Sequence, residues 1–226
     1  MQCAACGQAL ADGSSVCGNC GARAPAAGNG ALGALVERVK AILLTPRTEW
    51  PRIAAEGTTP REIYLRYVAP LAALGVVASF LGQVLVGLPV PMLGTVRIGV
   101  GAGLAAAIVH FLLTFASVFI VAQIVDALAP TFGGEKNPLA ALKVTAYSFT
   151  PAWVAAILTI LPALALVATL VGLYGLYLLY LGLPVLMRAP ADRALGYTVV
   201  VVLCAIVVSM VIASVTGLVT GGLFGA

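Results

Sequence analysis

Charged residues are scarce in this sequence: 12 lysines and arginines and 8 aspartates and glutamates account for 9% of its 226 residues. Aromatic residues contribute 7%, and there is one histidine. Because 62% of the residues are hydrophobic, well above the usual share in globular chains, the composition excludes an ordinary soluble domain. The net charge of +4 is too small to indicate a nucleic-acid-binding surface, so nucleic acid is not an expected partner.

A secretory signal is also lacking, since the first 30 residues have no basic segment followed by an apolar one. We therefore expect the N-terminus to stay in the cytoplasm. What the sequence does contain is a series of apolar runs from about Leu65 onward, each as long as a bilayer is thick. They predict an all-α polytopic membrane protein with five transmembrane helices, at residues 65–87, 98–128, 144–161, 162–187 and 196–220. The third run is short and contains Pro151, so a re-entrant segment is the alternative there.

Four segments divide the chain. Residues 1–22 are cysteine-rich, residues 23–30 have the composition of a flexible linker, residues 31–57 predict short interfacial helices, and residues 58–226 predict the five-span bundle. The run ALGALVERVKAILLTP has apolar residues at helical spacing and charges opposite, as in a helix lying on a membrane surface. We expect a second short helix after Pro46, with Trp50 as an interfacial anchor. The alternative is that both helices pack against the membrane domain as a cover.

Basic residues fall almost entirely on one side of the predicted membrane. Under the five-span arrangement, 11 of the 12 lysines and arginines lie on the side of the N-terminus, and Arg97 alone lies on the other. Lysine and arginine accumulate in cytoplasmic loops. The predicted location is thus the cytoplasmic (inner) membrane, with the N-terminus in the cytoplasm and the C-terminus outside it.

Four cysteines near the N-terminus, Cys3, Cys6, Cys17 and Cys20, form the pattern C-x2-C-x10-C-x2-C. Two such pairs, each followed by glycine, can present four thiolates to one Zn²⁺ in tetrahedral geometry. A disulfide framework is the competing interpretation, but the cytoplasm is reducing. The pattern predicts a small zinc ribbon that folds around its metal. Because few basic residues surround it, we expect it to bind a protein partner.

Polar residues within the spans are few. His110 lies near the middle of the second span, with Thr114 and Ser117 on the same face and the small residues Gly99, Gly103 and Ala106 above them. Gln83 in the first span is a candidate hydrogen-bonding partner, whereas Asp126 is about 24 Å away along the helix axis. His110 fits either a proton or metal relay, or a neutral histidine bonded to a neighbouring helix. In the fourth span, Gly172, Gly175 and Gly182 indicate close helix packing.

Three stretches resemble the bacterial branch of the Yip (Ypt/Rab-interacting protein) domain family over residues 38–215: TPRTEWPRIAAE, AYSFTPAWVAAILTILP and YGLYLLYLGLPVLMRAPADRALGYTVVV. The resemblance implies five spans and a cytoplasmic N-terminus, and it supplies no catalytic motif. Eukaryotic members are associated with Rab GTPases and vesicle traffic, which a sequence of bacterial style would not share. The residues that match the family's recurring pattern are interpreted as structural: Tyr147, Pro151, Tyr174, Tyr177, Gly182, Pro184 and Tyr197.

Three functions follow from these features. The favoured hypothesis is a non-enzymatic membrane adaptor, scaffold or sensor whose zinc ribbon recruits a protein partner. The alternative is a transporter or channel for ions or small solutes that uses the polar stripe around His110. A membrane enzyme is the least favoured, because His110 and Asp126 form no catalytic pair. A homo-oligomer is compatible with the sequence.

Overall fold

The computed structural model of the chain describes residues 8, 19, 30–90 and 94–224. The chain divides into two units, Met1–Arg38 and Val39–Ala226. In the first unit, residues 31–38 form the beginning of helix α1 (Ala31–Leu44). The four cysteines of the predicted zinc ribbon lie outside the described residues, as does most of the predicted linker.

The second unit is almost entirely helical. After α1 come α2 (Pro46–Ala55), α3 (Pro60–Ile63), α4 (Ala69–Leu81), α5 (Val100–Leu128), α6 (Pro138–Ser148), α7 (Thr150–Ala155), α8 (Ala165–Gly172), α9 (Tyr174–Leu186) and α10 (Ala194–Phe224). Two short antiparallel strands, β1 (Leu88–Val90) and β2 (Gly94–Val96), form a hairpin between α4 and α5. Single π turns at Tyr64–Val68 and Gly82–Val86 extend α3 and α4, and 3₁₀ segments occupy Ala129–Phe132, Ala156–Ile160 and Pro162–Leu164.

Five helical stretches within the described residues are long and apolar enough to cross a membrane. They are Pro60–Val86, Val100–Phe132, Pro138–Ile160, Ala165–Leu186 and Ala194–Leu218, and we refer to them as the first to fifth spans. The predicted number of spans is confirmed, although the third begins six residues earlier than expected. The third span is also the most enclosed of the five, because 61% of its apolar 18-residue stretch is buried inside the protein.

Local signals explain where these helices start and bend. The Thr59 hydroxyl accepts from the Glu62 backbone N–H and the Glu62 carboxylate accepts from the Thr59 N–H, which completes a capping box. The Asn137 side chain accepts from Ala140 N–H at 3.0 Å, so the third span starts at Pro138. Inside that span, Pro151 has no N–H to bond the Tyr147 carbonyl, and the Thr150 hydroxyl donates to that carbonyl instead, at 2.6 Å.

Contacts between the spans give their relative directions. Along the first and third spans, Tyr67 bonds Thr150 and Ser79 bonds Thr159, so both run the same way. A segment that dipped in and returned would begin and end at one end of the bundle. The third span instead begins beside the end of α2, where Lys143 bonds the Ile53 carbonyl, and ends beside Ser79, near the hairpin.

The loops between the spans collect at opposite ends of the bundle. At one end, the Glu135 N–H donates to the Met187 carbonyl at 2.8 Å, and the Glu135 carboxylate pairs with Arg188 at 3.0 Å. These contacts join the loop after the second span to the loop after the fourth. The hairpin before Arg97 and the turn at Pro162 contact each other at the opposite end. The alternation predicted from the basic residues is therefore present in the fold.

Candidate functional site

Helix α2 packs closely against the third and fourth spans. Trp50 on α2 is completely buried, with 0% of its surface exposed. A Cβ built on Gly182 would lie 2.8 Å from Cζ2 of Trp50 and 2.6 Å from Cγ2 of Val144, so a glycine is required there. The indole also packs edge-on against Tyr147, with ring centroids 6.4 Å apart. These contacts fix α2 against the bundle.

The prediction that Trp50 is an interfacial anchor is therefore wrong. An interfacial tryptophan leaves part of its ring among lipid headgroups, whereas this ring is enclosed by protein. The alternative, in which the helix packs against the membrane domain, is the one observed for α2. The end of α1 also contacts the fourth span, because the Tyr174 hydroxyl donates to the Leu43 carbonyl at 3.0 Å.

Lys143 closes the same junction from the third span. It is 3% exposed, and its Nζ donates to the Ile53 carbonyl at 2.8 Å and to the Glu56 carbonyl at 2.6 Å. These carbonyls belong to the C-terminal end of α2, where a helix leaves acceptors unpaired and where its dipole favours a cation. The sequence placed Lys143 in a loop, whereas the structure places it one turn inside the third span and buries it.

Hydroxyl groups continue this cluster into the bundle. The Thr150 hydroxyl donates its proton to the Tyr147 carbonyl. Because a hydroxyl has one proton to donate, the Tyr67 hydroxyl is the donor in its 2.6 Å bond to the Thr150 oxygen. The Tyr67 and Tyr147 rings pack edge to face at 4.5 Å. We call Trp50, Lys143, Tyr147 and Gly182 the α2 anchor, because together they hold α2 on the third and fourth spans.

A polar cavity of about 330 Å³ lies beside the α2 anchor. Its charged lining residues are Glu56, Glu135, Lys143 and Arg188. Two of them, Glu135 and Arg188, form the ion pair between loops described above, and Lys143 is engaged with α2. Charges of both signs therefore meet at this end of the bundle, around the end of α2.

His110 is separate from the α2 anchor and borders two cavities. One, of about 340 Å³, lies between the first, second and fifth spans and is also lined by Gln83. The other, of about 270 Å³, is also lined by Thr114 and Ser117. The structure thus brings four of the predicted intramembrane polar residues to one region. The Thr114 hydroxyl donates to the His110 backbone carbonyl at 2.9 Å, so this hydroxyl bonds its own helix backbone.

Asp126 does not join this group. It lies toward the other end of the second span, next to Val125, whose carbonyl accepts a hydrogen bond from the Tyr197 hydroxyl. Oδ1 of Asp126 is buried and has no hydrogen-bonding partner among the described residues. The predicted close packing along the second span is present at Gly103, where a Cβ would lie 3.1 Å from Val84 of the first span.

The predicted close packing of the fourth span is confirmed at Gly175 and Gly182. A Cβ on Gly175 would lie 2.5 Å from the Ser148 carbonyl oxygen, so the backbones of the third and fourth spans touch there. At Gly172, a Cβ would make an ordinary contact, 3.6 Å from Cβ of Ala152. Close approach is thus concentrated in the half of the fourth span that lies nearer to α2.

Five apolar spans with alternating directions, and an amphipathic helix locked to them by buried side chains, define a polytopic α-helical membrane protein. The Yip1 domain matches residues 40–213, which is most of the chain and includes α2 and all five spans up to the last turns of the fifth. The chain belongs to the Yip1 domain family. No curated protein and no solved structure matches it.

Proposed function

We propose that this protein is a non-enzymatic adaptor of the bacterial inner membrane, in which an N-terminal zinc ribbon captures a protein partner and the bundle holds it at the membrane. The observation that carries the proposal is the α2 anchor. Helix α2 lies between the cysteines and the spans in the sequence, and Trp50 and Lys143 fix it against the third and fourth spans. A linker of eight residues with this composition has an r.m.s. end-to-end distance of about 16 Å, which would keep the ribbon near the start of α1.

The proposal places residues 1–22 in the ribbon, residues 23–30 in the linker and residues 31–57 in short amphipathic helices. Cys3, Cys6, Cys17 and Cys20 supply the zinc ligands by their spacing. The absence of catalysis is supported by the separation of the two ionisable side chains of the second span, His110 and Asp126. His110 and Asp126 are about 24 Å apart along one helix, which is too far for one to assist the other.

The zinc ribbon is tested by metal analysis of the purified full-length chain. We expect one zinc ion per chain, reduced to none by Cys17→Ser, because three thiolates in a domain without a core of its own would not hold the fold. Cys204→Ser is the matched control, since Cys204 is a free cysteine in the fifth span. Zinc that persists at one ion per chain in Cys17→Ser would refute the ribbon.

The adaptor role is tested with the same two variants by crosslinking in native membranes. A partner that is captured by the wild type and by Cys204→Ser, but lost with Cys17→Ser, supports recruitment through the ribbon. A set of crosslinked proteins that is identical in all three chains contradicts it. The transporter alternative rests on the two cavities beside His110. A pH-dependent flux in proteoliposomes that is abolished by His110→Gln would favour that function instead.

Orientation is a further part of the proposal, with the α2 end of the bundle in the cytoplasm. The loops at this end carry Lys136, Arg188 and Arg193, whereas the hairpin end carries Arg97. Because lysine and arginine near a span resist translocation, we expect alkaline phosphatase fused after Ala226 to be active and a green fluorescent protein fused there to be dark. The opposite pattern, with a fluorescent fusion and an inactive phosphatase, would overturn the orientation or the number of crossings.

A further inference from the structure

A fourth cavity, within the bundle, combines apolar walls with two buried hydroxyl groups. It has a volume of about 190 Å³ and lies between the second, third, fourth and fifth spans. Its walls are mostly apolar, but Thr145 and Ser148 of the third span line it too. Both are more than nine-tenths buried, at 2% and 7% exposed, and neither hydroxyl has a hydrogen-bonding partner among the described residues.

Several other threonine hydroxyls in the spans bond their own helix. Thr114, Thr169 and Thr198 each donate to the carbonyl four residues earlier in their own helix, at 2.8–2.9 Å. This is the usual solution in an apolar environment, where an unpaired hydroxyl costs free energy. Thr145 and Ser148 depart from it although they are among the most buried hydroxyl-bearing residues. Being three residues apart, they lie on the same face of the helix, with Cβ atoms about 5–6 Å apart.

We propose that this cavity is a binding site for a small lipophilic molecule that carries a carbonyl oxygen, and that Thr145 and Ser148 donate to that oxygen. A carbonyl oxygen has two lone pairs and can accept from both hydroxyls at once. The volume is sufficient for a ring, since an apolar cavity of about 150 Å³ holds benzene. The proposal is independent of the zinc ribbon and of the adaptor role.

The depth of the cavity excludes the ester groups of phospholipids as the source of the carbonyl. Ser148 is 10 residues from the start of the third span and 12 from its end, which places it about 15–18 Å from either end. Phospholipid esters lie at the edge of a hydrocarbon layer about 30 Å thick, and their acyl chains bring only methyl and methylene groups to its centre. A ligand must therefore carry its carbonyl into the apolar layer on its own ring or chain.

Access to the cavity is lateral. Leu176 and Ile206 line the cavity and are 40% and 50% exposed on the apolar outer surface of the bundle. In a membrane, that surface faces lipid, so a ligand dissolved in the bilayer reaches the site without crossing water. Close to the opening, Ala205 contributes only a methyl group, which leaves room for a ring.

The test uses two probes of the same bicyclic skeleton, 1-tetralone and tetralin, which differ by one carbonyl oxygen. Each is titrated into the purified full-length protein in detergent, and binding is followed by thermal stability and by the ¹³C resonance of carbonyl-labelled 1-tetralone. We expect tetralone to bind at least tenfold more tightly than tetralin, and its bound resonance to move in the direction of a hydrogen-bonded carbonyl.

The double variant Thr145→Val and Ser148→Ala separates the chemistry of the site from its shape. It should bind both probes equally, and without a probe it should be at least as stable as the wild type, because it removes two buried unpaired hydroxyls. The control is Thr169→Val with Ser214→Ala, whose hydroxyls bond their own helix outside the cavity and should leave the tetralone preference intact. Ala205→Leu, which fills the space, should abolish binding of both probes.

Three results would overturn the proposal. The first is equal affinity of the wild type for tetralone and tetralin, and the second is a tetralone preference that survives in the double variant. The third is ordered water on both hydroxyls in a cavity that binds neither probe, which would make water the occupant.

Discussion

Replacing Trp50 by alanine is expected to destabilise the protein by about 3–5 kcal/mol, the range for removing a large aromatic side chain from a tightly packed core. The side chain is 0% exposed, and the groove that it fills is formed by Gly182, Val144 and Tyr147, which would be left facing a void. Thermal denaturation of the purified protein in detergent measures the loss. Limited proteolysis should then cut first within residues 39–57, because α2 loses its main contact with the bundle.

The conservative variant Trp50→Phe tests whether the enclosed ring or its surface position matters. Phenylalanine keeps most of the buried apolar surface, so it should recover a large part of the stability. An interfacial anchor would behave differently, since alanine there would change membrane depth and leave the melting temperature almost unchanged. A loss below about 1 kcal/mol in Trp50→Ala would contradict the packing described here.

Lys143→Met is expected to cost about 2–4 kcal/mol. It removes two hydrogen bonds to a charged group, each of which contributes about 1.5–3 kcal/mol, and the loss is offset in part because a buried ammonium no longer has to be desolvated. Methionine has a similar length and no charge, so the apolar stem still packs while the Ile53 carbonyl loses its lysine donor. The Glu56 carbonyl also loses the lysine but keeps its hydrogen bond from the Thr58 N–H, at 3.1 Å. The end of α2 should fray before the bundle unfolds. Hydrogen exchange at residues 52–56 should therefore rise more than exchange in the spans.

Lys136→Met is the matched control, because Lys136 is an exposed lysine in the loop that precedes the same span. Its stability should be unchanged within about 0.5 kcal/mol. If the two lysine variants lose the same stability, the effect would reflect loss of positive charge at this end of the protein, and the proposed bonds to α2 would not be its cause.

The five spans could be predicted because their signal is length and apolarity, which do not depend on the neighbouring helices. The start of the first span also carries a local sequence pattern, because Thr59 and Glu62 have the spacing of a capping box around Pro60, and the structure completes that box. Gly175 and Gly182 were identified as packing sites for a similar reason: a glycine in a span has few roles other than close approach.

The α2 anchor could not be predicted from the same kind of signal. An amphipathic helix has an apolar face, but its sequence does not say whether lipid or protein covers that face, so Trp50 fitted both interpretations. Lys143 was misplaced because charge counting treats each lysine near a span as a loop residue. Its burial depends on two carbonyls that lie 87–90 residues earlier in the chain, at the end of α2. Those carbonyls come within reach of Lys143 only when α2 packs against the third span.

The packing of α2 against the third and fourth spans has a consequence for the order of assembly during synthesis. Trp50 leaves the ribosome long before Val144 and Gly182, the residues that form its groove. Until the fourth span is inserted, α2 has no complete groove in which to pack, and the third span carries a lysine whose acceptors on α2 are not yet in place. The helix that is made first among these elements is thus the last to become fixed, and its docking marks the point at which the nascent chain has acquired four of its five spans.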